Sequence, residues 1–232
     1  MLREISLLCL AAGVCALDTT AAWQLMISQP LVCGTLAGFL VGFPDAGVFI
    51  GVVLQLLWSG SMPVGALPMP DAPVGTISGV WLAAILLGSG QAVSTSFSQL
   101  AGLLAAMCIA LVGRWTIVWE RELSSRLFQR IRARFSSGKT VNPDVTQALT
   151  LTVSFLRGAL LCLIAVGVLY AIALALVAAG NVVEIDYKLV VLVVQGLAIG
   201  VLIPVFARRA KGRLPAFAGG VALALVVRNL IG

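Results

Sequence analysis

Residues 30–75 read PLVCGTLAGFLVGFPDAGVFIGVVLQLLWSGSMPVGALPMPDAPVG: two apolar segments around a Phe43-Pro44-Asp45 turn, then a proline- and glycine-rich run holding Asp71. The apolar segments, Pro30 to Gly42 and Ala46 to Trp58, have 13 residues each. A helix that crosses a hydrocarbon core of about 30 Å needs about 20 residues, so neither segment spans. Pro63, Pro68, Pro70 and Pro73 remove backbone donors from the run that follows, which therefore cannot be regular helix. Irregular backbone survives at membrane depth only where protein or a watery cavity satisfies its polar groups. The stretch predicts a re-entrant hairpin plus an extended loop, and such broken segments point to a transporter's substrate site.

Composition supports a membrane setting. The chain has 232 residues, 60% of them hydrophobic and 10% charged, with a mean hydropathy of +1.09, which predicts one all-α polytopic membrane unit over residues 1–232. The net charge of +6 sits in two short clusters beside apolar spans, a pattern that orients a membrane protein rather than binding nucleic acid. Cys9, Cys15, Cys33, Cys108 and Cys162 are scattered singly and read as small packing residues, with neither metal-ligand spacing nor a disulfide framework. Histidine is absent from the sequence, which removes the commonest general base and metal ligand, so no metal or cofactor site is predicted. The N-terminal run MLREISLLCLAAGVCALD has the outline of a signal peptide, but Glu4 offsets Arg3 and no A-x-A site follows; a retained membrane helix is the preferred reading.

Further apolar stretches run over Val74 to Leu87, Phe97 to Trp119, Leu151 to Ala179, Lys188 to Ala207 and Leu214 to Ile231. Val74 to Leu87 is again short and reads as the ascending arm of a second hairpin. The loops 114–139 and 207–214 are rich in arginine and lysine, whereas 180–187 carries Glu184 and Asp186 without a basic residue. Positive loops stay inside, so the first two are expected in the cytoplasm and the third outside. Within 114–135, Trp115, Trp119, Leu123, Leu127, Ile131 and Phe135 recur at four-residue steps between arginines. This predicts a basic amphipathic helix lying at the cytoplasmic interface, on anionic lipid or against a soluble partner.

The blocks QPLVCGTLAGFLVG (29–42) and GVFIGVVLQLLWSGSMPVGALPMPDAPVGTI (47–77), with Leu17-Asp18 upstream, resemble the IIC membrane subunit of the mannose/fructose/sorbose family of the bacterial sugar phosphotransferase system. Arg114 and Arg157 look like that family's two intramembrane arginines. Two positions depart from the pattern: Gln55 stands where the family has an acid, and Gln29 where it has a basic residue. The resemblance implies a mannose-type IIC permease fold with broken helices, in the bacterial inner membrane. It also implies a function: translocation of a hexose-type sugar, driven by phosphoenolpyruvate, in an oligomeric assembly with a IID membrane subunit. A cytoplasmic IIB would phosphorylate the sugar and a IIA would recharge IIB. Without histidine, this chain would carry no phosphoryl group of its own.

Five residues are candidates for contact with the sugar. Asp71 sits among apolar residues in a Pro-flanked loop, where an ionised acid is costly unless paired or used, although an acid in a solvated turn reads the same way. Gln55 lies on an apolar arm with Trp58 one turn later, a polar and aromatic combination suited to sugars; a glutamine capping the broken helix is the alternative. Gln29 and Asp18 flank the hairpin, either at the site or merely at the interface. Asp45 reads as a turn former. Arg157, six residues into a long apolar stretch, reads as snorkelling to the cytoplasmic surface. Two other functions compete with transport: a non-transporting scaffold or sensor derived from a permease, and an intramembrane lipid-modifying enzyme holding metal on aspartates. Asp18, Asp45 and Asp71 lie on separate elements, which weakens the enzyme reading.

Overall fold

Small residues let the helices of this chain pair closely, and three antiparallel pairs result. The computed structural model describes residues 1–22, 24–58, 69–89, 93–137 and 142–178. Within them lie α1 (Leu2–Thr20), α2 (Pro30–Val41), α3 (Pro44–Trp58), α4 (Ala72–Gly88), α5 (Thr95–Ser136) and α6 (Pro143–Ala178). The closest pairings are α4 with α5, α2 with α3, and α1 with α6.

The predicted hairpin is α2 and α3. Gly42 ends α2 in the left-handed region at φ +81, and the Phe43 N–H reaches back to the Gly38 carbonyl at 2.9 Å. This helix stop tolerates glycine and strains other residues. Pro44 restarts the chain at the first position of α3, where its fixed φ suits a helix and its missing N–H is not needed. Gly34 and Gly38 on α2 then face Gly47 and Gly51 on α3; a Cβ on Gly34 would lie 2.9 Å from the Gly47 carbonyl oxygen. Backbones approach this closely only across small residues. With 12 and 15 residues, the arms are about 18 and 23 Å long, short of the hydrocarbon thickness.

Helix α4 is the centre of the bundle. It is apolar on all sides and almost wholly buried from Pro73 to Ala84, as a helix enclosed by neighbours must be. Its partner is α5, on which Gly102, Ala106 and Ala110 pack against Gly75 and Gly79. The arm expected over Val74 to Leu87 is thus a buried core helix paired with the first half of a long one. Leu8, Ile50, Leu54, Val74, Ile77, Val80 and Leu103 fill the main core.

Helix α5 departs from expectation. The stretch read as a separate interfacial helix continues the preceding span without a break, giving one helix of 42 residues, about 63 Å long. The cause is visible along its buried stripe, where Gly102, Ala106, Ala110, Gly113, Ile117 and Glu120 follow one another at helical spacing through the expected boundary. Helix α6 likewise begins well before Leu151. The expected extended loop over 59–68, the cytoplasmic Lys139, and the loops and spans expected from 180 to 231 lie outside the described residues.

The two ends of the bundle differ. At one end the C-terminal turns of α1 and α3 meet the N-termini of α2 and α4. At the other, the α2–α3 turn and the end of α4 border a cavity of about 530 Å³ lined by Met1, Glu4, Phe43, Trp81, Gly88 and Tyr170 among others.

Candidate functional site

All five sequence candidates fall at the first of these ends. Asp18 is in the last turn of α1, Gln29 stands at the N-cap position of α2, Gln55 and Trp58 close α3, and Asp71 stands at the N-cap position of α4. Packing fixes the level: Pro30 and Leu31 lie against Gly51, one turn before Gln55, while Gly34 lies against Thr76, near the start of α4.

Asp71 is 1% exposed, yet its side chain does not cap its own helix. Pro73 at the second helical position removes one amide that an N-cap carboxylate normally receives. The carboxylate turns instead to Arg157 of α6, whose Nη1 donates to Asp71 Oδ2 and, at 3.2 Å, to Thr116 Oγ1. Arg157 Nε donates to Glu120 of α5. Glu120 Oε1 also accepts from the hydroxyls of Ser154 and, at 3.1 Å, Thr20. The Asp71 backbone N–H is fixed in turn by the Ala110 carbonyl at 2.9 Å. Gly113 makes room: a Cβ there would lie 2.5 Å from Asp71 Cβ.

This buried cluster corrects the reading of Arg157. Gly158 to Ala178 is a full span of apolar helix, so Arg157 does stand at its edge, but the side chain points inward with 3% of its surface exposed. Two carboxylates and the small residues facing it make the interior more favourable than the interface. A charge buried this deeply persists only when paired and hydrogen-bonded. One cation is shared by two acids here, tying α1, α4, α5 and α6 together where α4 begins.

Asp18 has a separate task. Its carboxylate accepts from the Leu25 N–H, from the Ser28 N–H at 2.9 Å and from the Ser28 hydroxyl at 2.7 Å. It thereby holds the loop between α1 and α2, in which Gln24 and Met26 take positive φ. Gln29 is half-buried; its carbonyl receives Val32 and Cys33 N–H groups, both at 2.9 Å. Gln55 carries a buried Oε1 that has no hydrogen-bond partner among the described residues, and Asp71 Oδ1 and Arg157 Nη2 share that condition. Asp45, expected in the turn between the hairpin arms, is instead exposed within the first turn of α3, where an acid suits the positive end of the helix.

Glu120 is the member of the cluster that sequence reading passed over, together with Thr20, Thr116 and Ser154. Its signal was present: Glu120 follows Gly113 and Ile117 on the buried stripe of α5 rather than on the arginine-bearing faces. Among the described residues the aspartates do not gather into a metal-holding set: Asp71 faces an arginine, and Asp18 faces amides and a hydroxyl.

Comparison with known proteins agrees with this architecture. A structure described as a membrane protein superposes with a TM-score of 0.69 at 20% identity, covering 100% of this chain and 92% of that one. A cryo-EM structure of the mannose transporter ManYZ in complex with microcin E492 superposes with a TM-score of 0.58 at 19% identity, with the same coverages. No match is found among curated protein sequences. The family model for the sorbose-specific IIC component of the phosphotransferase system matches residues 2–170, which include the α2–α3 hairpin, the capped loop between α1 and α2 and all six residues of the Arg157 cluster. This chain therefore belongs to the sorbose-type IIC family, the sugar-translocating membrane subunits of the phosphotransferase system.

Proposed function

We infer that the sugar is received where the α2–α3 hairpin opens, between the C-terminal turn of α3 and the loop that ends on Asp71. The observation that carries this reading is Gln55. Its Oε1 is buried without a partner among the described residues, in the position where the family usually has an acid. An amide so placed can accept from one sugar hydroxyl and donate to another, relieving a desolvated polar atom. Trp58 follows one turn later on the same helix. Gln29 stands at the N-cap position of the neighbouring arm. Asp71 serves chiefly through Arg157, which fixes the end of the loop, while its Oδ1 remains available to a hydroxyl. Asp18 positions the adjoining loop.

The arginines past Trp119 support a cytoplasmic location for this end of the bundle, in a bacterial inner membrane, by the rule that positive segments stay inside. The sugar is thus handed to the compartment where phosphorylation occurs. The chain works with a IID subunit in an oligomeric membrane assembly, and a cytoplasmic IIB, recharged by IIA, phosphorylates the hexose. Apolar side chains exposed along α2, including Leu31, Val32, Leu36 and Phe39, suit lipid or a membrane partner.

The test is sugar binding to membranes holding Gln55→Ala or Gln55→Glu, with protein abundance measured alongside. Loss of two hydroxyl contacts should weaken binding by about tenfold or more, at about 1 kcal/mol each. Gln55→Glu should change which sugar binds best. Unchanged affinity and preference in both variants would remove Gln55 from the site.

A further inference from the structure

Helix α5 is too long for the membrane that its first half spans. Its 42 residues extend about 63 Å, against about 40–45 Å for a bilayer with its headgroups. Even at the steep end of observed tilts, about 40°, its rise is about 48 Å. Trp115 and Trp119 are 75% and 60% exposed, and exposed tryptophans of a membrane helix settle at headgroup depth. Phe128 and Phe135 lie about 14 and 24 Å further along the axis, beyond a headgroup layer about 5–8 Å thick, and both are exposed. Helix α6 begins beside this extension, with Val145 and Leu149 also exposed.

The surface so raised is specific in composition. Residues 121–150 carry six cations, Arg121, Arg126, Arg130, Arg132, Arg134 and Lys139, against the two acids Glu122 and Asp144. Five of the six are arginine. A headgroup layer attracts lysine and arginine alike, whereas protein interfaces favour arginine and aromatic residues and are depleted in lysine. Exposed phenylalanines set among arginines, clear of the bilayer, have the make-up of interface anchors.

We propose that the extension of α5, with the start of α6, is a docking arm for the acidic face of a soluble cytoplasmic protein domain. Since the arm is continuous with the helix bearing Glu120, a partner held there sits over the Arg157 cluster and the mouth of the hairpin. This rests on the transport reading only in the choice of partner, a soluble phosphotransferase domain of the IIB type.

The experiment uses the full chain in phosphatidylcholine nanodiscs, with and without phosphatidylglycerol, carrying a photo-crosslinker in place of Phe128 or Phe135. The probe is purified IIB. Crosslinking to IIB at both positions without anionic lipid, suppressed by salt and by Arg126→Glu/Arg130→Glu/Arg134→Glu, is the expected result. Affinity in that variant should fall about tenfold or more, as when an electrostatically complementary face is inverted. Replacing the same three arginines by lysine should retain most of the salt dependence, and an unchanged thermal midpoint shows that both variants are folded. Crosslinks that require phosphatidylglycerol and form to lipid would overturn the arm, as would IIB binding that ignores charge reversal. Phosphoenolpyruvate-driven uptake by the unmodified chain is measured in parallel, so that binding independent of the arm removes the arm and leaves the transport reading standing.

Discussion

Arg157 and Asp71, separated by 86 positions in the chain, close a buried ion pair that fastens α6 to the start of α4. The pair fixes Asp71, the residue at which the proline-rich stretch gives way to α4. Removing one partner strands a charge in the interior, which costs more than the pair itself contributes. Arg157→Gln is therefore expected to destabilise the protein by about 3–5 kcal/mol, read as a lowered thermal midpoint in lipid. Arg157→Lys keeps the charge but not the two-sided donor geometry and should fall between. A midpoint unchanged in Arg157→Gln would mean that the cluster does not support the fold.

Asp18 offers a contrast, because its contacts are local to one loop. Asp18→Ala leaves the Leu25 and Ser28 amides without their acceptor, a loss of about 1–3 kcal/mol. Hydrogen exchange should accelerate at Leu25 and Ser28 while α4 and α5 keep their protection. Loss of protection spread evenly over the bundle would show that Asp18 acts more broadly than its hydrogen bonds indicate.

The hairpin depends on contact between backbones, so side-chain volume is the perturbation to apply. Gly34→Leu or Gly47→Leu inserts methylenes where a Cβ alone already meets backbone, and should cost at least about 1–3 kcal/mol or force the arms apart. Gly88→Leu is the control, since a Cβ there meets only the Phe43 ring, at 3.9 Å. Equal abundance and melting of all three would contradict the tight pairing.

The hairpin was legible because glycine and proline act on the backbone directly: Gly42 and Pro44 mark the turn, and the segment lengths exclude a span. The family blocks were legible for the same reason. The role of Arg157 was not, since its partners lie 37 and 86 positions away and nothing local distinguishes an arginine that turns inward from one that snorkels. The length of α5 was hidden by its composition, which changes from apolar to basic near Arg114 and reads as two helices. Only the small-residue stripe running through to Glu120 crosses that change.

Translocation of a sugar for phosphorylation by another subunit is the function inferred for this chain. Its most direct test is uptake of a panel of radiolabelled hexoses into cells or vesicles that hold this chain, its IID partner and the soluble components, with labelled phosphoenolpyruvate in a parallel sample. The expected result is accumulation of one sugar as its phosphate, dependent on phosphoenolpyruvate, with label on the soluble components and none on this histidine-free chain. Accumulation of free sugar without phosphoenolpyruvate, or stable phosphoryl label on this chain, would contradict it.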